Sequence, residues 1–268
     1  MTAPGYQRFV AIGDSQTEGI GDLPNPDGSC RGWADRFAAR LAGASPGLLY
    51  ANLAVRGRRV AQVYAEQFGP ALRLEPDLVS VIAGMNDLFR PGFDIDLTLE
   101  MMDEMESAFV SRGATVLTIT YPDPDGLGPI GRLLEDRIRA FNQGIRDVAL
   151  ANGTTLLDLE PIKATSDPRI WRPDRLHLNP DGHWRMAMGM LSVAAPELAD
   201  RGWDAPLPPP ETKGPAEAFG DESEWVVRYL LPWVGRRLVG RSSGDGISAK
   251  RPRLEPLTPD RGFSREGS

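Results

Sequence analysis

The sequence is poor in cysteine, in histidine and in long apolar runs. Its 268 residues include one cysteine, Cys30, and two histidines. A single cysteine excludes an intramolecular disulfide and a zinc site built from several thiolates. No apolar run reaches the roughly 20 residues that cross a bilayer, and no basic region followed by an apolar stretch opens the chain. We therefore expect no signal peptide, no membrane-spanning helix and a cytoplasmic location.

Positive charge is also scarce, since 30 Lys and Arg residues stand against 37 Asp and Glu residues, for a formal net charge of −7. Nucleic-acid phosphates favour basic surfaces, so we predict no nucleic-acid partner. With 41% hydrophobic residues the chain can bury a sizeable core. Its length allows one or two domains.

Strand and helix patterns alternate five times along the first 200 residues. Apolar strand-like runs occur at 8–14, 48–55, 77–83, 114–121 and 154–159. Helical periodicity occurs between and after them, at 33–41, 60–72, 95–112, 131–151 and 181–193. Near-continuous apolar strands that alternate with helices are typical of a parallel sheet covered on both faces. The pattern predicts an α/β protein, a three-layer α/β/α sandwich over residues 1–200.

The composition changes after residue 200. Residues 201–220 are predicted to form a Pro-rich linker. Residues 221–241 are predicted to form an amphipathic helix, because aromatic residues recur there at intervals of four, at Trp225, Tyr229 and Trp233. We favour docking of this helix on the body of the protein over contact with a second subunit or an anionic membrane. Residues 242–268 are predicted to be a disordered tail. The sequence does not determine the oligomeric state.

The first strand runs directly into Gly13-Asp14-Ser15. A serine at this position is presented at the carboxyl edge of a parallel sheet, where sites are built. A serine hydroxyl becomes a nucleophile only with a base in reach, and the base needs a partner that fixes its tautomer. His177 follows the fifth strand, and Asp174 lies three residues earlier, close enough for its carboxylate to reach the imidazole.

A developing oxyanion would also need hydrogen-bond donors. Three candidates follow strands at the same edge: the backbone N–H of Ser15, the N–H of Gly57 and the side-chain amide of Asn86. Each residue also has a structural interpretation. Ser15 could cap a helix, Gly57 could open one, and Asn86 could cap a turn. The second histidine, His183, opens the last helix, and we assign it a structural role.

These segments resemble, in order, the four blocks of the SGNH (GDSL-like) hydrolase superfamily over about residues 1–195. The blocks are Gly13-Asp14-Ser15, residues 52–57, Gly84-Met85-Asn86-Asp87 and Asp174-Arg175-Leu176-His177. The resemblance implies a flavodoxin-like fold with a central five-stranded parallel sheet, and ester hydrolysis that uses no cofactor and no metal. It implies that Ser15 is the nucleophile, His177 the general base and Asp174 its orienting acid. Ser15, Gly57 and Asn86 would be the oxyanion donors. The first block departs from the family name, because Gln16 stands where many members have leucine.

The resemblance leaves the substrate open, because the superfamily spans lipases, thioesterases, carbohydrate acetylesterases and lysophospholipases. We expect a small-molecule ester as substrate. Two alternatives are an acyltransferase that uses the same acyl-enzyme and a non-catalytic binding module on the same fold. Side chains that could contact substrate or simply pack the loops are those of Trp171, residues 85–89 and Tyr121-Pro122.

Overall fold

Six strands form one sheet in the order β5-β4-β3-β1-β2-β6. The computed structural model describes residues 5–124, 128–209 and 243–257, together with residue 228. The strands are β1 (Arg8–Gly13), β2 (Leu49–Asn52), β3 (Leu78–Ile82), β4 (Thr115–Ile119), β5 (Thr155–Leu157) and β6 (Arg251–Pro256). Strands β1 to β5 are parallel, and β6 pairs antiparallel with β2.

Helices cover both faces of the sheet. They are α1 (Ser15–Glu18), α2 (Gly32–Ala44), α3 (Val60–Val63), α4 (Gly69–Arg73), α5 (Met85–Leu88), α6 (Ile95–Val110), α7 (Pro129–Asn152) and α8 (Pro180–Ala194). Helices α2 and α8 pack on one face, whereas α3, α6 and α7 pack on the other. Successive residues of β1 therefore enter opposite cores, Phe9 into the first and Val10 into the second. Helices on both faces of one sheet confirm the predicted α/β/α sandwich. Strands that are buried on both faces have to be apolar throughout, which accounts for the continuous apolar runs in the sequence.

The helix predicted at 60–72 is divided by a π-helical turn, Tyr64–Phe68, between α3 and α4. The turn holds Gln67, whose buried side chain pairs with the backbone of Gly13 at the end of β1. Gln67 Oε1 accepts from the Gly13 N–H at 2.8 Å, and Gln67 Nε2 donates to the Gly13 carbonyl at 2.9 Å. The π turn thus fixes the backbone that leads to Ser15.

Strand β6 corrects two predictions. The sheet has six strands in place of five. The segment 242–268, which was predicted to be a disordered tail, is ordered over residues 243–257, where it contains this strand. The sequence of β6 is charged and contains prolines, which suits an exposed sheet edge. Its anchor is polar: the Lys250 ammonium lies 2.8 Å from Asp35 Oδ1 and donates to the carbonyls of Cys30 and Arg31. Local composition does not reveal a strand that is held by one buried ion pair.

The start of the predicted linker packs against the body of the protein. Trp203 is buried in the core on the α2/α8 side of the sheet, and the Arg185 guanidinium donates to the carbonyls of Trp203 and Ala205. Residues 210–220 and the helix predicted at 221–241, apart from residue 228, lie outside the described residues, so docking of that helix stays a prediction. Within the described part of the chain, no helix has the length and apolar character that crossing a bilayer requires.

Candidate active site

The strand order predicts where a site should lie. The chain passes from β1 to β2 on one side and then crosses to β3 on the other, so the connections diverge between β1 and β3. Crevices at the carboxyl ends of such strands are the usual ligand sites of open α/β sheets. Ser15 follows β1 and Asn86 follows β3, so both residues lie at this crevice.

Ser15 is the first residue of the short helix α1, and Asp14 caps that helix by accepting the Gln16 N–H at 3.1 Å. The strand-to-helix turn depends on Gly13, which has a φ of +151°. A Cβ at this position would lie 2.1 Å from the carbonyl oxygen of Ile82 in β3. The glycine therefore permits the close strand contact that brings Ser15 to the edge of the sheet.

Ser15, His177 and Asp174 form a continuous hydrogen-bonded path. His177 Nε2 lies 3.0 Å from Ser15 Oγ, and His177 Nδ1 lies 2.8 Å from Asp174 Oδ2. The other carboxylate oxygen, Asp174 Oδ1, accepts the backbone N–H groups of Leu176 and His177 at 3.0 Å each. Arg175, which lies between Asp174 and Leu176, has a φ of +56°, a left-handed conformation that tightens the turn. The structure thus brings together the three residues that the sequence singled out.

The electrostatics of Asp174 keep it ionised. Burial acts to raise its pKa, but the hydrogen bond and charge of His177 and the two backbone N–H groups outweigh burial, so the pKa lies below its usual value of 3.8. A carboxylate that is charged at neutral pH can hold the His177 Nδ1–H and stabilise an imidazolium.

Asn86 lies in α5 and contacts the residues next to the other two proposed oxyanion donors, Ser15 and Gly57. Its side-chain nitrogen donates to Asp14 Oδ2 at 3.0 Å and to the Arg58 carbonyl at 3.1 Å. Asp14 is buried, and burial raises its pKa to about 6, against the hydrogen bonds from Gln16 and Asn86. Asp14 therefore holds the Asn86 amide in addition to capping α1.

Gly57 follows β2 and has a φ of +75°, in the left-handed region that glycine favours. The preceding residue ties this loop to the helix of Ser15. The Arg56 N–H donates to Glu18 Oε2 at 2.6 Å, and its guanidinium pairs with the same carboxylate. Glu18 is buried in α1, so the loop that carries Gly57 is attached to the helix that begins at Ser15.

His183 lies apart from this path. Its Nδ1 accepts the Trp33 N–H and its Nε2 donates to the Ile20 carbonyl, both at 3.1 Å, so it joins α8 to α2. Burial lowers its pKa to about 4, which leaves the ring neutral. Elsewhere in the described residues, no group of three or more His, Cys, Asp or Glu side chains is arranged to hold a metal ion.

Residues 11–185 match the GDSL-like lipase/acylhydrolase family. The chain belongs to this family. The resemblance found in its four blocks is thereby confirmed, and the chain is a carboxylic ester hydrolase of the GDSL (SGNH) type. An acetylxylan esterase of Geobacillus stearothermophilus is 23% identical over 203 residues, which are 69% of this chain and 92% of the relative.

Solved structures show the same fold. A catalytic mutant of Axe2, an acetylxylan esterase from Geobacillus stearothermophilus, aligns with a TM-score of 0.62 at 17% identity, over 75% of this chain and 100% of that chain. TesA aligns with a TM-score of 0.57 at 23% identity, over 71% and 99% of the two chains. LAE5, an α/β hydrolase from the metagenome of Lake Arreo, Spain, aligns with a TM-score of 0.55 at 22% identity, over 70% and 94%.

Proposed function

We propose that this chain hydrolyses carboxylic esters through an acyl-enzyme on Ser15, with His177 as general base and Asp174 as its orienting acid. The observation that carries the proposal is the path from Ser15 Oγ through both nitrogens of His177 to the ionised Asp174, with distances of 3.0 and 2.8 Å. Such a path serves to activate a hydroxyl that is a weak nucleophile at neutral pH.

In the first half-reaction, Ser15 Oγ attacks the ester carbonyl while its proton moves to His177 Nε2. The tetrahedral intermediate collapses when His177 returns that proton to the leaving alkoxide, and the alcohol departs. In the second half-reaction, His177 takes a proton from water, and the resulting hydroxide attacks the acyl carbon. The proton passes to Ser15 Oγ as the carboxylic acid is released.

The proposed oxyanion donors are the N–H groups of Ser15 and Gly57 and the Asn86 amide. As the first residue of α1, Ser15 has an N–H that no helix carbonyl can accept. Asn86 is oriented by its hydrogen bond to Asp14. We expect the amide hydrogen that meets the Arg58 carbonyl to be shared with the oxyanion. The removal of one such donor elsewhere costs on the order of a hundredfold or more in turnover.

The complete Ser15–His177–Asp174 path favours catalysis over the alternative of a non-catalytic binding module. Transfer of the acyl group to an alcohol shares every step up to the acyl-enzyme. The two outcomes differ only in the acceptor, so the test of the proposal includes an added alcohol.

The decisive experiment compares the wild type, Ser15→Ala and the control Ser107→Ala on p-nitrophenyl esters from acetate to palmitate. Ser107 is half-buried on α6, where its hydroxyl donates to the Glu104 carbonyl. We expect hydrolysis by the wild type and by Ser107→Ala, loss in Ser15→Ala, and a mass increase on Ser15 equal to the acyl group. Full activity in Ser15→Ala would overturn the mechanism. Ester formation that exceeds hydrolysis when glycerol is added would indicate an acyltransferase.

A further inference from the structure

The segment of residues 243–257 lies beyond residues 11–185, which match the family, but it packs against the loop that carries Gly57. Gly244 is buried where the segment meets this loop. A Cβ at Gly244 would lie 2.0 Å from the Arg56 carbonyl oxygen. Because that oxygen belongs to the backbone and cannot rotate away as a side chain can, a glycine is required for the two backbones to come this close.

The contact reaches the peptide unit that contains one of the proposed oxyanion donors. The Arg56 carbonyl and the Gly57 N–H belong to the same planar peptide group, so a contact that fixes the carbonyl also fixes the direction of the N–H. Gly57 restrains this peptide little, because it has no side chain. Arg56 is held through its own N–H and its guanidinium by Glu18. Gly244 thus supplies the support on the carbonyl side of Arg56.

A turn, a buried lysine and a strand hold Gly244 in place. The Ile247 N–H donates to the Gly244 carbonyl at 3.1 Å and closes the turn. Three residues later, the Lys250 ammonium lies 2.8 Å from Asp35 Oδ1. The chain then continues as β6, which pairs with β2, the strand that leads into the Gly57 loop. The segment is therefore fixed immediately after its contact with that loop.

Buried hydrogen bonds connect Asp35 to the site. Asp35 Oδ1 accepts the Tyr50 hydroxyl at 2.8 Å, and that hydroxyl accepts from Asn52 Nδ2 at 2.9 Å. Asn52 Nδ2 also donates to the Thr17 carbonyl in α1 at 2.8 Å, and Asn52 Oδ1 accepts the Ala54 N–H at 3.0 Å. One connected set of buried polar groups thus joins the anchor of the segment to α1 and to the chain that follows β2.

We propose that this segment is a positioning element of the active site, in which Gly244 sets the direction of the Gly57 N–H and Lys250 holds Gly244 in place. The inference rests on the proposed function, in which that N–H is an oxyanion donor. A donor stabilises a developing oxyanion most when its direction is fixed before the reaction, since no reorganisation is then needed. The matched residues 11–185 supply the nucleophile, the base and the donors, and the segment outside them fixes one donor.

The test compares the wild type, Gly244→Ala and the matched control Gly43→Ala on the p-nitrophenyl ester that the wild type hydrolyses fastest. Alanine at position 244 has to displace the Arg56 carbonyl, whereas an added Cβ at Gly43, exposed in α2, meets no segment of the described structure within 4 Å. We expect kcat of Gly244→Ala to fall by on the order of 10- to 100-fold with KM nearly unchanged, because a donor displaced by about 1 Å no longer meets the oxyanion. Gly43→Ala should keep the wild-type kcat.

Inhibition by phenylboronic acid separates a misplaced donor from a loss of folded protein. Its boron atom accepts Ser15 Oγ and becomes tetrahedral and anionic, so its affinity follows the stabilisation of the transition state. The inhibition constant should rise in Gly244→Ala by about the factor that is lost in kcat/KM. A lower kcat with the wild-type inhibition constant would show only fewer folded molecules and would overturn the inference.

Lys250→Met tests the anchor, with Arg253→Met, at an exposed position in β6, as its control. Lys250→Met should lower kcat and raise the inhibition constant, and Arg253→Met should change neither. If Gly244→Ala does not fold, this second pair decides the inference by the same two measurements.

Ser15→Ala, measured in the same assay, distinguishes the two levels of the argument. Wild-type kcat in folded Gly244→Ala, alongside an inactive Ser15→Ala, would overturn the inference and leave the proposed function intact. Turnover that Ser15→Ala retains in full would overturn the proposed function and the inference with it.

Discussion

The Gln16 side chain donates from Nε2 to the Leu176 carbonyl at 2.5 Å, which joins the residue after Ser15 to the residue before His177. These two residues come from segments about 160 positions apart in the chain. The hydrogen bond therefore sets the spacing between the nucleophile helix and the loop that carries the base. A leucine at this position could not form it, because a leucine side chain has no donor.

Gln16→Leu should lower kcat about fivefold, because one hydrogen bond of net order 1 kcal/mol no longer holds the His177 loop. Steady-state kinetics on p-nitrophenyl acetate should show the loss in kcat with KM nearly unchanged, as expected for a positioning residue. Gln143→Leu is the control, because Gln143 is exposed on α7 and donates only to Asp147. Equal kcat values for Gln16→Leu and the wild type would assign this hydrogen bond no catalytic effect.

The parts of the structure that could be predicted are those whose causes are local. The five parallel strands follow from apolar runs buried on both faces, and Asp174 reaches His177 because it lies three positions earlier, within one turn. The common edge of the sheet then places Ser15 beside them, as the topology of parallel strands requires.

The parts that could not be predicted depend on single polar contacts between distant segments. Strand β6 is anchored by Lys250 on Asp35, and nothing in its own composition shows this contact. The pairing of Gln67 with Gly13 likewise needs a π turn that periodicity does not reveal. Hydrophobic pattern identifies layers, whereas one buried hydrogen bond between remote residues leaves no pattern to recognise.

Lys250→Met should lower the free energy of unfolding by about 3–5 kcal/mol, because it leaves Asp35 buried without its counter-charge. The side chains of Lys250 and Asp35 are only 8% and 9% exposed, so water cannot compensate. Urea unfolding monitored by circular dichroism measures the change. Arg253→Met, at an exposed position in β6, should stay within about 0.5 kcal/mol of the wild type. Similar losses in both variants would show that β6 is not held by this ion pair.

Stability should depend on pH through Glu106, a fully buried residue of α6. Burial raises the pKa of its carboxyl from 4.5 to about 7 in the folded state. The unfolded chain then releases this proton at lower pH than the folded protein, so rising pH favours unfolding between about pH 4.5 and 7. The stability contributed by protonated Glu106 is present in full below 4.5 and lost by about pH 7, a difference of ~3 kcal/mol.

Glu106→Gln should remove this pH-dependent loss, because the amide has no charge to bury. The difference in unfolding free energy between Glu106→Gln and the wild type, measured in urea at pH 5 and pH 8, should grow in favour of the variant at the higher pH. Glu100→Gln, on the exposed surface of the same helix, provides the comparison. A difference that is constant across the range would mean that Glu106 is ionised at both pH values.

Asp174→Asn should reduce kcat by on the order of 10³–10⁴-fold while leaving the fold intact, because an amide neither fixes the His177 Nδ1–H tautomer nor stabilises the imidazolium. The hydrogen bond and charge of His177, with the backbone N–H groups, hold the Asp174 pKa below 3.8, so Asp174 stays ionised above that pH. The acid limb of the wild-type kcat/KM profile should therefore report a different group. Asp181→Asn removes an aspartate that pairs with Arg185 in α8, and its kcat should stay close to wild type. If Asp174→Asn kept wild-type turnover, the role of Asp174 would reduce to shaping the loop, and His177 would act without a carboxylate partner.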